Sequence, residues 1–239
     1  MHTEESLREI AKMSAAERWI VAKEKLSNTS NRGAVSALLN HLPVHENTRW
    51  LIFQPQLANQ VATSSAAHAF RSLQISNLHY ELIRICTFWD PVDLDSYSIP
   101  TIVALADDPS VSLCVYEDHF SRWPNEPVWA KEQGNKARRR LRNSIRDAKK
   151  VENSDVLRSA RNYRDKLAHL LEQTRAEKKE TIPPPKYGDE RKLLEKTISA
   201  VNRLYLSLNG VNFDWKGAKK MHRRNADSFW KGVSIEVLR

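Results

Sequence analysis

Residues 154–171 read SDVLRSARNYRDKLAHLL, and this stretch decides the fold class. Ser154 or Asp155 can cap a helix here by accepting hydrogen bonds from its first free N–H groups. Val156, Ala160, Tyr163, Leu167 and Leu170 then recur at spacings of four, three, four and three. That is the rhythm of a helix whose apolar stripe packs in a bundle. No region alternates with period two for long enough to suggest a sheet. Glycine is scarce, with 6 residues in 239, so long stretches are free of helix breakers. These features predict an all-α chain.

The same logic divides the rest of the chain. Ser14-Ala15-Ala16-Glu17 reads as a capping box opening a helix to about Leu26. A short helix over 34–42 is expected to end before Pro43, because the residue before proline is pushed out of the helical region. Another is expected to begin near Glu46 or Asn47. Pro55 fits the first turn of one long helix that meets no Pro or Gly until Asp90-Pro91. Pro100 fits the first turn of the next, and Asp107-Asp108-Pro109 caps a further one reaching about Trp123. Residues 128–152 form a very basic helix. Pro183-Pro184-Pro185 reads as a stiff linker. Asp189 to Leu208 is a helix stopped by Asn209-Gly210, and a last basic helix spans about 216–231. The expected organisation is a helical domain over 1–210, its core at about 15–210, with a basic C-terminal helix in 211–239.

The formal net charge is +9, which suits a polyanionic partner such as nucleic acid or a membrane surface. Solubility alone is the competing explanation. Cys86 and Cys114 lie in apolar stretches with no second Cys or His at ligand spacing. They read as buried free thiols in a reducing compartment rather than as a metal site. The N-terminus is charged and lacks an apolar signal region, and no apolar run approaches the ~20 residues that span a bilayer. The expectation is a cytoplasmic protein without membrane insertion.

Four residues of the opening stretch can carry chemistry: Arg161, Arg164, Asp165 and His169. Asp165 and His169 are i,i+4 neighbours on one helical face, and Arg161 lies one turn earlier on that stripe. Asp165 can therefore orient the His169 imidazole, as carboxylates do in general-base systems. Arg164 stands at the edge of that face, where its long side chain can reach a phosphate shared with His169, most easily across a two-fold dimer. The competing reading makes these charges a solvated face, with ion pairs worth ~0.5 kcal/mol or less, and His169 a satisfied edge-of-core histidine. Tyr163 falls on the apolar rhythm and reads as core.

Arg164, a polar Asp165, and His169 after a gap of four residues resemble the signature of the HEPN superfamily, and Ala168 before the histidine matches as well. The Tyr80-Glu81-Leu82 helix, a loop and Ser98-Ile99-Pro100-Thr101-Ile102 look like the abortive-infection U branch of that family. There such elements precede an Arg-x-Lys-x-Ala-His segment, which Arg164, Lys166, Ala168 and His169 fit. The resemblance covers about residues 15–210. It implies a HEPN-like up-and-down helical bundle with additional N- and C-terminal helices, and a homodimer with RNA in a cleft between two motif helices. It further implies a metal-independent endoribonuclease of phage-defence or toxin-antitoxin type, without cofactor. His169 would be general acid or base, Arg164 would hold the scissile phosphate, and an antitoxin or other regulator would be a partner. Some members are inactive and serve as RNA-binding, nucleotide-binding or partner-docking modules. Asp165 stands where many active members carry Asn, so that alternative stays open.

Residues 131–150 hold most of the surplus charge: nine Lys and Arg against Glu132 and Asp147. Arg138, Arg142, Arg146 and Lys149 or Lys150 fall on one face, with Arg139 beside them. Such a stripe tracks a phosphate backbone, although it lacks aromatic interleaving and would read little sequence. A solvated face is the alternative. The basic tail helix is read as a second RNA contact, an amphipathic surface helix or a plain packing helix. Pro43 between His41 and His45 argues against a helical metal pair, and His68, His79 and His119 read as structural.

Overall fold

The computed structural model of the chain describes residues 2–27, 32–62, 64–168 and 185–235. Eleven helices and no strand occur among them. They are α1 (His2–Lys12), α2 (Ala15–Leu26), α3 (Ala34–Phe53), α4 (Pro55–Val61), α5 (Ala67–Thr87), α6 (Ile99–Ala106), α7 (Pro109–Ser121), α8 (Pro127–Glu152), α9 (Asp155–Ala168), α10 (Asp189–Asn209) and α11 (Trp215–Trp230). None is long and apolar enough to cross a membrane.

The helix starts are set by side-chain caps. Ser14 and Glu17 close the expected capping box, with Ser14 N–H donating to Glu17 Oε2 at 2.7 Å. Ser98 and Asp108 accept from the first turns of α6 and α7, and Ser154 Oγ accepts from Leu157 N–H in α9. α10 stops at Gly210, whose φ of 77° is the left-handed conformation that glycine adopts without a Cβ clash.

Cross-bonds show neighbouring helices running up and down. On α7 and α8, Gly134 faces Tyr116 and Arg138 donates to Ser112. On α8 and α10, Ser144 meets Ser207 and Asp147 meets Arg203. On α3 and α5, His45 meets Glu81 and Leu51 accepts from Gln74. On α3 and α11, Arg49 and Trp50 meet Asp227, and Asn47 meets Trp230. In each pair one number rises as the other falls, so the helices are antiparallel. The core between them holds Leu26, Leu38, Ile85, Trp89, Ile102, Leu141, Leu157, Leu193 and Leu204. Trp89 satisfies its buried indole N–H on Thr197 Oγ1 at 2.9 Å.

Two sequence expectations fail. α3 runs straight through Pro43 instead of breaking before it. Leu38, His41 and Leu42 before the proline, and Glu46, Trp50 and Leu51 after it, are all buried. That packing outweighs the missing N–H and the ring clash, together worth ~3 kcal/mol. Conversely, the long helix expected from Pro55 is two helices, α4 and α5. Ser64 sends both its hydroxyl and its N–H to Val61 O, at 2.8 and 3.0 Å. This competes with the helical ladder and turns the chain.

Candidate functional site

α9 is held against the core by fully buried Leu157, by Ala160 and by Asn162, with Val156 and Tyr163 partly buried. The apolar rhythm places Ala160 and Tyr163 correctly and misses Leu157, one position off the stripe. Tyr163 is both core and clamp: its hydroxyl shares a hydrogen bond with His79 Nε2 on α5 at 2.9 Å. His169 lies outside the described residues, as does the pairing expected between it and Asp165.

Arg164 points back over the end of α5. Its Nη1 donates to Asp90 Oδ1 at 2.5 Å, and its Nε and Nη2 donate to Asp165 Oδ1 at 3.2 and 3.1 Å. Burial opposes the charge, but the hydrogen bond and charge of Asp90, with those of Asp165, outweigh it and hold the guanidinium pKa above its ordinary value. The arginine is therefore fixed in place and permanently charged. Three of its five N–H groups are committed to these carboxylates, which leaves two, on Nη1 and Nη2, for another acceptor. Beneath it lies Cys86, whose buried thiol is pushed up to about 11 despite the pull of Arg164 and Arg161. Arg161 is half-buried on the same helix.

Asp90 was legible only as a helix stop. It lies 74 residues before Arg164, so no local pattern could pair the two.

On α8 the apolar face is Ala130, Gly134, Ala137, Leu141, Ser144, Ile145 and Ala148, which turns the basic residues outward. Arg139, Arg142, Arg146, Lys149 and Lys150 are exposed, and Arg138 is half-buried. Arg142, Arg146, Lys149 and Lys150 line one open groove with Asp107 and Asn153. Lys149 is bridged to Asp107 across it at 2.5 Å.

Sequence reading missed a second polar cluster altogether. His45 Nδ1 on α3 bonds Glu81 Oε1 on α5 at 2.6 Å. Burial disfavours the imidazolium, but this hydrogen bond and charge raise its pKa above the usual 6.5. Glu190, at the start of α10, is 2 % exposed. Its Oε2 accepts from Gly188 N–H at 2.8 Å, and its Oε1 has no partner among the described residues. Burial lifts this carboxyl above the ordinary range. His45 and Glu190 line a cleft of about 690 Å³ between α3, α10 and α11. The only local signal was an i,i+4 histidine pair, discounted because Pro43 intervenes.

The all-α bundle is consistent with the architecture expected of a HEPN-type protein. The family model HEPN_AbiU2, described as AbiU2, matches residues 32–229, and the chain belongs to that abortive-infection family. The match reaches well into α11. No curated protein and no solved structure matches the chain.

Proposed function

We propose that this protein is a metal-independent endoribonuclease of a phage-defence or toxin-antitoxin type. The observation that carries the reading is Arg164, the arginine of the Arg-x4-His segment, fixed by Asp90 and Asp165 in a member of the AbiU2 family. His169 removes a proton from the ribose 2′-OH or delivers one to the leaving 5′-oxygen. The 2′-oxygen bonds to phosphorus as the 5′-oxygen leaves, and the products are a 2′,3′-cyclic phosphate and a 5′-hydroxyl. Arg164 holds the scissile phosphate and offsets the charge that develops on it. Two motif helices meet in a homodimer, RNA lies between them, and the α8 groove guides the strand. Its exposed cations release counterions when phosphates replace them.

The test is cleavage of total RNA and transfer RNA, with chelator present, by wild type, His169→Ala and Arg164→Ala. Chelator-resistant cutting lost in both variants supports the assignment. Equal cutting by wild type and His169→Ala removes His169 from the chemistry. RNA bound by all three but cut by none makes the chain a binding module.

A further inference from the structure

We propose that the outer face of α8, together with the tip of the α7–α8 hairpin, docks on an anionic lipid surface. The argument starts at the tip. Every residue from Ser121 to Trp129 is exposed, and burial resumes only at Ala130. Val128 is 84 % exposed, more than any other large apolar side chain among the described residues. Phe120, Trp123 and Trp129 are exposed as well. Trp123 meets Trp129 edge-on with centroids 6.3 Å apart, and its N–H donates to Phe120 O. Three aromatic rings and an aliphatic side chain therefore gather at one end of the hairpin. An exposed apolar cluster of this kind marks a contact surface, and tryptophan with flanking cations suits the headgroup layer of a bilayer.

The helix behind the tip supplies the second half of the argument. At 100° per residue, Lys131, Arg139, Arg142, Arg146, Lys149 and Lys150 fall within about 60° of Val128, and all six are exposed. Glu132 is the one acid on that face, and it is paired with Lys136. Arg146 and Lys149 meet Asp147 and Asp107, whereas Lys131, Arg139, Arg142 and Lys150 make no ion pair among the described residues. Glu126 is the only carboxylate within the exposed tip, and the cations outnumber it. The face is about 33 Å long from Val128 to Lys150 at 1.5 Å per residue. A cationic strip with an apolar anchor at one end combines the two signals that hold a protein on anionic lipid. RNA would also engage the cations, but it does not account for the anchor. Val128 can neither stack on a base nor hydrogen-bond to it. Trp129 is met edge-on by Trp123, and Lys136 Nζ stands over its ring at 5.3 Å from the centroid, which leaves little of it to stack. No helix among the described residues can cross a bilayer, so the chain lies on the surface. The α9 motif takes no part, and the proposal is independent of the ribonuclease reading.

The experiment is sedimentation of the full chain with vesicles of phosphatidylcholine alone, or of phosphatidylcholine and phosphatidylglycerol at about three to one. Wild type is expected to bind the anionic vesicles about tenfold or more tightly than the neutral ones, and brominated acyl chains should quench its tryptophan fluorescence. Val128→Asp should weaken anionic-vesicle binding about tenfold or more, abolish the quenching, and leave circular dichroism and poly(U) binding unchanged. Arg139→Glu/Lys150→Glu should weaken vesicle binding about a hundredfold. Lys220→Ala/Arg223→Ala, on the other basic helix, should change it less than about twofold. Equal binding to both vesicles, or to neither, overturns the proposal, as does full binding by Val128→Asp. Loss of poly(U) binding in Val128→Asp would overturn it by making the tip part of an RNA path. Self-association of wild type that Val128→Asp abolishes would overturn it by giving the tip to a second copy of the chain.

Discussion

His41 should set the acid limit of this fold. Its ring is fully buried in α3, neither nitrogen has a partner among the described residues, and it stands edge-on to Phe88 with centroids 6.5 Å apart. Burial holds its pKa down to about 4 although nearby Glu81 pulls the other way. The unfolded chain takes up a proton at this residue below about pH 6.5, whereas the folded chain resists until about 4. Its contribution is therefore complete above pH 6.5 and is lost as pH falls towards 4. Proton linkage puts the loss at about 2 kcal/mol by pH 5 and about 3 kcal/mol by pH 4. The assay is urea unfolding followed by tryptophan fluorescence at pH 7 and pH 5, on wild type and His41→Leu. Leucine keeps an apolar group in the site and cannot titrate. Wild type should lose about 2 kcal/mol more than the variant between the two pH values, or about 0.7 M in urea midpoint at a slope of ~3 kcal/mol/M. Equal losses in the two proteins would refute the burial argument.

Three further outcomes follow from packing. Gly134→Ala should destabilise by about 1–3 kcal/mol despite alanine's better helix propensity, because the new Cβ would stand 2.5 Å from the Tyr116 ring on α7; a rise in thermal midpoint would contradict this. Asp227→Ala leaves Trp50 Nε1 and Arg49 Nη2 without the carboxylate they share at 2.7 and 2.6 Å. It should cost about 2–3 kcal/mol and speed tryptic cutting within α11, measured against a wild-type digest. Iodoacetamide at pH 8 should modify half-buried Cys114 before Cys86, whose thiol is buried and pushed up to about 11; mass spectrometry of the timed reaction would expose the reverse order.

What the sequence revealed was local. Caps at Ser14 and Asp108 and the stop at Gly210 were readable because each depends on residues within one turn. The all-α class and the motif helix followed from periodicity. The errors came where distant residues decide. Pro43 stays helical because of buried neighbours on both sides, and no window of sequence contains what α5 and α11 contribute. Arg164 could be chosen from its motif, but its clamp could not, because Asp90 reaches it through the fold. The cleft at His45 and Glu190 was illegible for the same reason, being built from three helices far apart in the chain.

The seam between α3 and α11 also governs when the protein can be finished. Asp227 lies 177 residues after Trp50, Trp230 lies 183 after Asn47, and Ile235 N–H reaches back to Gln60. Contacts this distant are slow to close. During synthesis they cannot form at all until the later partner has been made, roughly 10–35 s after Trp50 at ordinary elongation rates. Until then the indole of Trp50 and the guanidinium of Arg49 lack Asp227. The cleft likewise lacks Lys216, Lys219, Lys220 and Arg223, and so the wall that carries most of its positive charge. A nascent chain halted before α11 therefore holds the motif helix already translated beside an unfinished cleft, and completion of one end of the bundle is timed by the ribosome rather than by the fold.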